Sequence, residues 1–157
     1  EQRFGREGNN LLAAARWLEE GVPLGRLGSK GMIISAARSH LFNLVLAARV
    51  SRGDWNQLIG GDIAQAPSGP LWGRGRPLVS EDTLAVEEGA LAHLALWRRG
   101  LEHCGLLQER RPLVLLPVDM KWALSSEAVT LQFFLPPGQF ATCMLREAFE
   151  LLNQSSG

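Results

Sequence analysis

The stretch from residue 53 to residue 78 limits this chain more than any other. It holds Gly60-Gly61, Pro67-Ser68-Gly69-Pro70, Gly73, Gly75 and Pro77. Proline removes a backbone donor, and glycine loses the most conformational freedom on ordering. Only short strands or turns fit there.

Helical patterns stand on both sides. Asn9 or Asn10 is placed to cap a helix running to about Glu20, with Leu11, Ala15 and Leu18 at helical spacing and Gly21 as the stop. Residues 22–30, with Pro23, Gly25 and Gly28, read as a linker. Ser35 is expected to start a second helix with Ala37, Leu41, Leu44, Val45 and Ala48 on one stripe, ended by Ser51-Arg52-Gly53. Ser80 caps a long helix to about Leu101, with Glu81 and Asp82 in its first turn and Arg98-Arg99 in its last.

Strand signals follow. The apolar run Pro112 to Leu116 reads as a strand. Val129, Leu131 and Phe133 alternate with Thr130, Gln132 and Phe134, which predicts a strand with both faces largely covered. Leu135-Pro136-Pro137-Gly138 breaks it. A last helix carries Ala141, Leu145, Ala148 and Leu152, and residues 153–157 form a polar tail. The sum is helix-rich α+β.

The 157 residues carry no net charge and are 46% hydrophobic, which fits a soluble globular chain. No wholly apolar run approaches the roughly 20 residues of a membrane helix. Glu1 is not an initiator methionine, and a piece of a longer protein is the expectation. Residues 1–52 hold eight basic and four acidic residues, the remainder eight and twelve. The basic first third could face phosphate, or it could be chance asymmetry on solvated faces. Fourteen of the sixteen basic residues are Arg, which suits phosphate and base stacking and would equally follow from genome bias. Cys104 and Cys143 read as buried free thiols in a reducing cytoplasm, and His40, His93 and His103 show no metal-ligand spacing with them.

Polar residues Arg38, Ser39 and Asn43 partly share the face opposite the apolar stripe of the second helix. That face could meet RNA or simply water. In Ser68-Gly-Pro-Leu-Trp-Gly-Arg-Gly-Arg76, backbone amides flanked by Arg74 and Arg76 could hold a phosphate, or the segment could be a tight turn around a buried Trp72. It is not a Walker loop, because no Gly-Lys-Ser/Thr follows. Asp62 suits a turn or cap.

Three blocks in order carry a resemblance. They are Glu1-Gln2-Arg3-Phe4-Gly5, then Ser35 to Asn43 in the form Ser-x-x-x-Ser-x-Leu-Phe-Asn, then Leu131 to Glu147. Together they resemble the TruD family of tRNA pseudouridine synthases, closest over residues 1–20, 33–50 and 110–150. The first block is similar to the second half of a signature that lines the family's uridine pocket. The resemblance implies that Gln2, Arg3 and Phe4 lie near that pocket, with Arg3 on a phosphate and Phe4 packed beneath the floor. It makes Arg38, Asn43, Arg74 and Arg76 candidates for RNA contact. Gln139 stands where the family would put a capping Ser.

What the resemblance implies for function is conversion of uridine 13 in tRNA to pseudouridine. Cofactor and metal are not needed, the partner is tRNA and not a membrane, and the location is cytoplasmic. The family's nucleophilic aspartate sits in a Gly-x-Lys-Asp-Arg context, and Asp54, Asp62, Asp82 and Asp119 do not have it. The chain alone is expected to be inert. The implied organisation is a catalytic-domain piece over 1–22, a shortened insertion domain over 23–115, and a return strand and helix of the catalytic domain, with its mixed sheet, over 116–157. A rival reading is a non-catalytic RNA-binding or protein-interaction module that keeps these blocks for packing.

Overall fold

A computed structural model describes residues 2–63, 65–136 and 141–149. The chain divides into two compact units, Glu1–Val114 and Leu115–Gly157. The α+β class expected from the sequence is what the structure shows.

Unit 1 opens with two 3-10 turns, Gln2–Phe4 and Arg6–Gly8, followed by α1, Asn9–Leu18. Gly8, left-handed at φ 78°, holds the N-cap position expected of Asn9 or Asn10. The Asn10 amide is used elsewhere and donates to the Arg3 carbonyl at 3.0 Å, tying the opening turn to the helix. At the other end Gly21 takes φ 72° and the Val22 amide reaches back to the Arg16 carbonyl, a Schellman-type stop.

Helix α2, Lys30–Arg52, starts five residues before the expected Ser35. Gly31 weakens the local signal, but Ile33 and Ile34 are buried, and packing overrides propensity. Length and composition would let α2 cross a membrane; half of its most apolar window is buried in unit 1, as in a core helix. The expected helix from Ser80 to Leu101 is broken into α3, Glu81–Leu91, a 3-10 turn Ala92–Leu94, and α4, Ala95–Glu102. In one straight helix Leu91 and Trp97 would point about 120° apart. The break lets Leu91, Trp97 and Leu101 all enter the core. There they meet Ala14 and Leu18 of α1, Ile33, Ile34, Ala37, Leu41 and Val45 of α2, and Trp72. Trp97 donates its indole N–H to Glu19 and Trp72 donates to Glu102, so both buried rings keep a polar partner.

Strand β1, Ser68–Leu71, pairs antiparallel with β2, Glu109–Pro112, in the register Gly69↔Arg111 and Pro70↔Arg110. The expected strand over Pro112 to Leu116 is therefore displaced toward the polar residues before it. Arg110 and Arg111 explain the shift: Arg110 bonds Glu87 and Ser68, and Arg111 stacks 3.7 Å above the Phe42 ring. Past β1 the Arg74 amide donates to the Leu106 carbonyl and the Gln108 amide to the Arg74 carbonyl. A side chain at Gly73 would collide with the Leu107 carbonyl, so glycine is required there.

Unit 2 is a hairpin and a helix: β3, Val118–Leu124, antiparallel to β4, Val129–Phe134, then α5, Ala141–Ala148. The Ser125 hydroxyl accepts the Ala128 amide and closes the turn. A bulge between Val118 and Lys121 accompanies Asp119 at φ 53°. Strand β3 was absent from the sequence reading. Strand β4 is where it was expected, but its faces are not covered; Val129 and Phe134 are exposed. Among the described residues the strands form two antiparallel ladders, β1–β2 and β3–β4, with one isolated parallel bridge between Arg74 and Leu107. Cys104 is half-buried and Cys143 is exposed, against the expectation of two buried thiols. Gln139, Leu152 and the tail 153–157 lie outside the described residues.

Candidate functional site

A cavity of about 360 Å³ opens in unit 1 at the N-terminus of α2. Arg3, Lys30, Gly31, Ser35 and Arg38 line it, with Ile34, Leu71, Cys104 and Leu106 as its apolar wall. Its position follows from the fold. The opening 3-10 turn brings Arg3 onto α2, where a guanidinium N–H donates to the Ser39 hydroxyl at 3.4 Å. Lys30 and Gly31 are the first residues of α2, where backbone N–H groups have no helical acceptor and the helix dipole is positive. The Cys104 thiol donates to the Leu101 carbonyl at 2.9 Å, so it serves as wall.

Arg38 corrects the sequence reading. It does not lie on a solvated face; the residue is 9% exposed. Its Nη2 donates to the carbonyls of Leu71 and Leu107 and to the Glu109 carboxylate, at 2.7, 2.9 and 3.0 Å. Arg38 thereby stitches α2 to β1 and β2. Its Nε is buried without a partner, and Nη1 makes no hydrogen bond among the described residues. Ser39 is buried as well, while Asn43, five residues on from Arg38 and over a third of a turn round from it, is exposed.

The remaining candidates fall apart spatially or chemically. Phe4 is half-buried in the turn beside Arg3. Gln2 opens that turn, and its side chain lies outside the described residues. Arg74 and Arg76 are exposed and do not line the cavity. The Arg74 amide is already committed to the Leu106 carbonyl, and Trp72 is buried. Lys30, Gly31, Ser35, Leu71 and Leu106 were missed as site residues. The basic bias of the first third bore on Lys30, and Ser35 opens the second block of the family resemblance; Gly31, Leu71 and Leu106 carried no sequence signal as site residues.

A second polar cluster lies inside unit 1. Arg49, 1% exposed, donates to Asp54 at 2.8 Å and to the carbonyls of Asp54 and Gln57, and stands 3.6 Å from Asp62. Asp62 also accepts the Ile59 amide, a turn role. Glu87 accepts from Arg110. Burial pushes the Glu87 carboxyl up, with Asp62 adding to it, and Arg110 only partly offsets this. Burial would also raise Asp54, but hydrogen bonds and charge from Arg52 and Arg49 outweigh it and hold the group below its usual value. Burial lowers His40, which lies against Trp97, and nearby His93 lowers it further. Arg49 is paired with Asp54 and Asp62, and Arg110 with Glu87, as in a structural network, although Asp62 Oδ1 is buried without a hydrogen-bond partner.

Family models give no match to this chain. Curated relatives do. The tRNA pseudouridine synthase D of Cellvibrio japonicus is 46% identical over 156 residues, which cover 98% of this chain and 46% of that protein. The chain belongs to the TruD family. The proteins of the same name from Nitrosococcus oceani and Aeromonas salmonicida are 40% and 41% identical, over 93% and 100% of this chain. They are covered to 49% and 52%, so the chain spans about half the length of the curated relatives it matches. TruD sequences differ in length across this region. The match to the A. salmonicida protein runs over 184 positions, whereas that to the C. japonicus protein needs only 156.

Proposed function

We propose that this chain is part of a tRNA pseudouridine synthase that isomerises uridine 13 of tRNA. The observation that carries this reading is identity of 46% sustained over 98% of the chain to a relative named for that activity. Chemically, a carboxylate must attack the nucleotide, the glycosidic bond must break, and the base must rejoin through carbon. The target base must leave its stack first.

The role of the present residues is to bind and orient RNA, and the nucleophile lies in another segment. Two features support that assignment. Arg49 and Arg52 hold Asp54, and Arg49 stands beside buried Asp62, so neither is free to attack. Asp82 and Asp119 do not line the cavity. We assign residues 23–115 to the insertion domain and 1–22 and 116–157 to the catalytic domain, in a cytoplasmic enzyme. The division of the chain after Val114 lies one residue from the second boundary and supports it, while α1 shares its core with α2 across the first.

The test compares the complete gene product with the 157-residue chain on unmodified tRNA transcripts, reading pseudouridine by position. Formation at position 13 by the complete protein and none by the short chain is the expected result. Activity in the short chain would overturn the placement of the nucleophile. No activity in either would overturn the enzyme reading and favour an RNA-binding module.

A further inference from the structure

We infer that the cavity at the start of α2 is a nucleotide subsite, holding one phosphate of the RNA on its cationic side and the attached base against its apolar wall. This rests on the RNA-binding reading above and names a site within it. Three observations converge. The first is the cationic lining: Arg3 comes from the opening 3-10 turn, Lys30 and Arg38 from successive positions on one face of α2, and Glu109, which pairs with Arg38, is largely exposed. The second is the helix terminus, where Gly31 leaves the backbone uncovered and Ser35 adds a hydroxyl one turn later.

The third is Arg38 itself. It is nine-tenths buried and lines the cavity; its Nε is sealed off, and Nη1 is the nitrogen of its fork that is left without a hydrogen bond among the described residues. A buried guanidinium normally fills its donors, and a phosphate presents the oxygens to do so. The rest of the lining is different in character. Ile34, between Lys30 and Arg38 on the same face of α2, and Leu71 and Leu106 from beyond the helix are apolar groups that an inorganic anion would not use but a base or ribose would. The cavity's size suits one nucleotide, not a duplex.

The probe is uridine 5′-monophosphate, with uridine and inorganic phosphate as separate arms, titrated into the 157-residue chain and followed by amide shifts of Gly31 and Ser35. The nucleotide should shift both amides and bind more tightly than either arm, weakening as salt rises. Lys30 is exposed at the helix start, so Lys30→Ala should keep the fold and weaken binding about fivefold, the worth of one exposed ionic contact. Arg38→Lys should weaken it further; a collapsed fold there would leave Lys30→Ala to decide. Unmoved Gly31 and Ser35 amides would overturn the inference, and so would equal affinity in Lys30→Ala. Phosphate binding as well as the nucleotide would overturn the base-facing wall. Binding with no pseudouridine formed by the complete protein would sink the enzymatic reading and leave the subsite standing.

Discussion

The two units of this chain use the same kinds of side chain to opposite ends. Unit 1 buries its apolar residues around α2 and sinks an ionic network beneath them. Unit 2 buries none of its described residues, and Trp122, Leu124 and Phe134 are 66%, 68% and 65% exposed. Trp122 faces Leu131 and Leu124 faces Val129 across the ladder, so the apolar face is continuous but thin. A two-stranded hairpin is marginal in water without a further layer. Apolar alternation therefore records what a strand is suited to cover, and burial depends on whether a covering layer is there.

The sharpest way to break this contrast is to remove Arg49. Asp62, whose side chain is 1% exposed, would lose its cation, and Asp54 would keep only Arg52. Arg49→Ala should cost about 3–5 kcal/mol, the usual penalty for stranding a buried charge. Urea unfolding followed by far-UV circular dichroism reads this directly, and a loss below about 1 kcal/mol would show that solvent reaches the network. Next comes Leu101→Ala in the shared core of α1, α2 and α4, expected to cost about 2–5 kcal/mol. Trp122→Ser in unit 2 should shift the same transition by less than about 1 kcal/mol, as surface changes do. If Trp122→Ser matched Leu101→Ala, the contrast between the units would fail.

Local signals explain which parts of this fold were readable from residues. The helix stops at Gly21 and Gly53 depend on left-handed backbone that glycine adopts freely, and both stand where the sequence puts them. The break at Ala92–Leu94 holds no proline or glycine itself, and Gly89, whose carbonyl caps the end of α3, was not read as a stop; burial of Leu91 with Trp97 accompanies it. Strand β2 was misplaced because its stability comes from Arg110 and Arg111 meeting partners distant in sequence, not from apolar periodicity. The site was half legible. Arg3 and Arg38 were named as candidates, and both line the cavity. Arg38 was assigned to the wrong surroundings, because a helical wheel cannot see the carbonyls of Leu71 and Leu107, over thirty residues away. Lys30 and Gly31 were lost with the helix start, which was set too late.

The smallest effect expected is on pH dependence, and it too belongs to unit 1, where the shifted groups among the described residues lie. The raised Glu87 carboxyl means that the folded chain binds that proton more tightly than the unfolded chain. Its favourable contribution is complete below the ordinary value of 4.5 and fades as pH rises through the raised value. Asp54, held low, works in reverse: its contribution is present above 3.8 and fades as pH falls through the lowered value. His40, also held low, opposes folding as pH falls below 6.5. Acidification from neutrality should therefore set a gain from Glu87 against a loss from His40. Glu87→Gln removes the gain alone, so the variant should lose relative stability as the solution is acidified, and hydrogen exchange should register this in α2 and α3 with no change in the β3–β4 hairpin. Parallel stability curves for the variant and the natural chain would mean that Arg110 fully neutralises the buried carboxylate, and the desolvation assigned to Glu87 would be wrong.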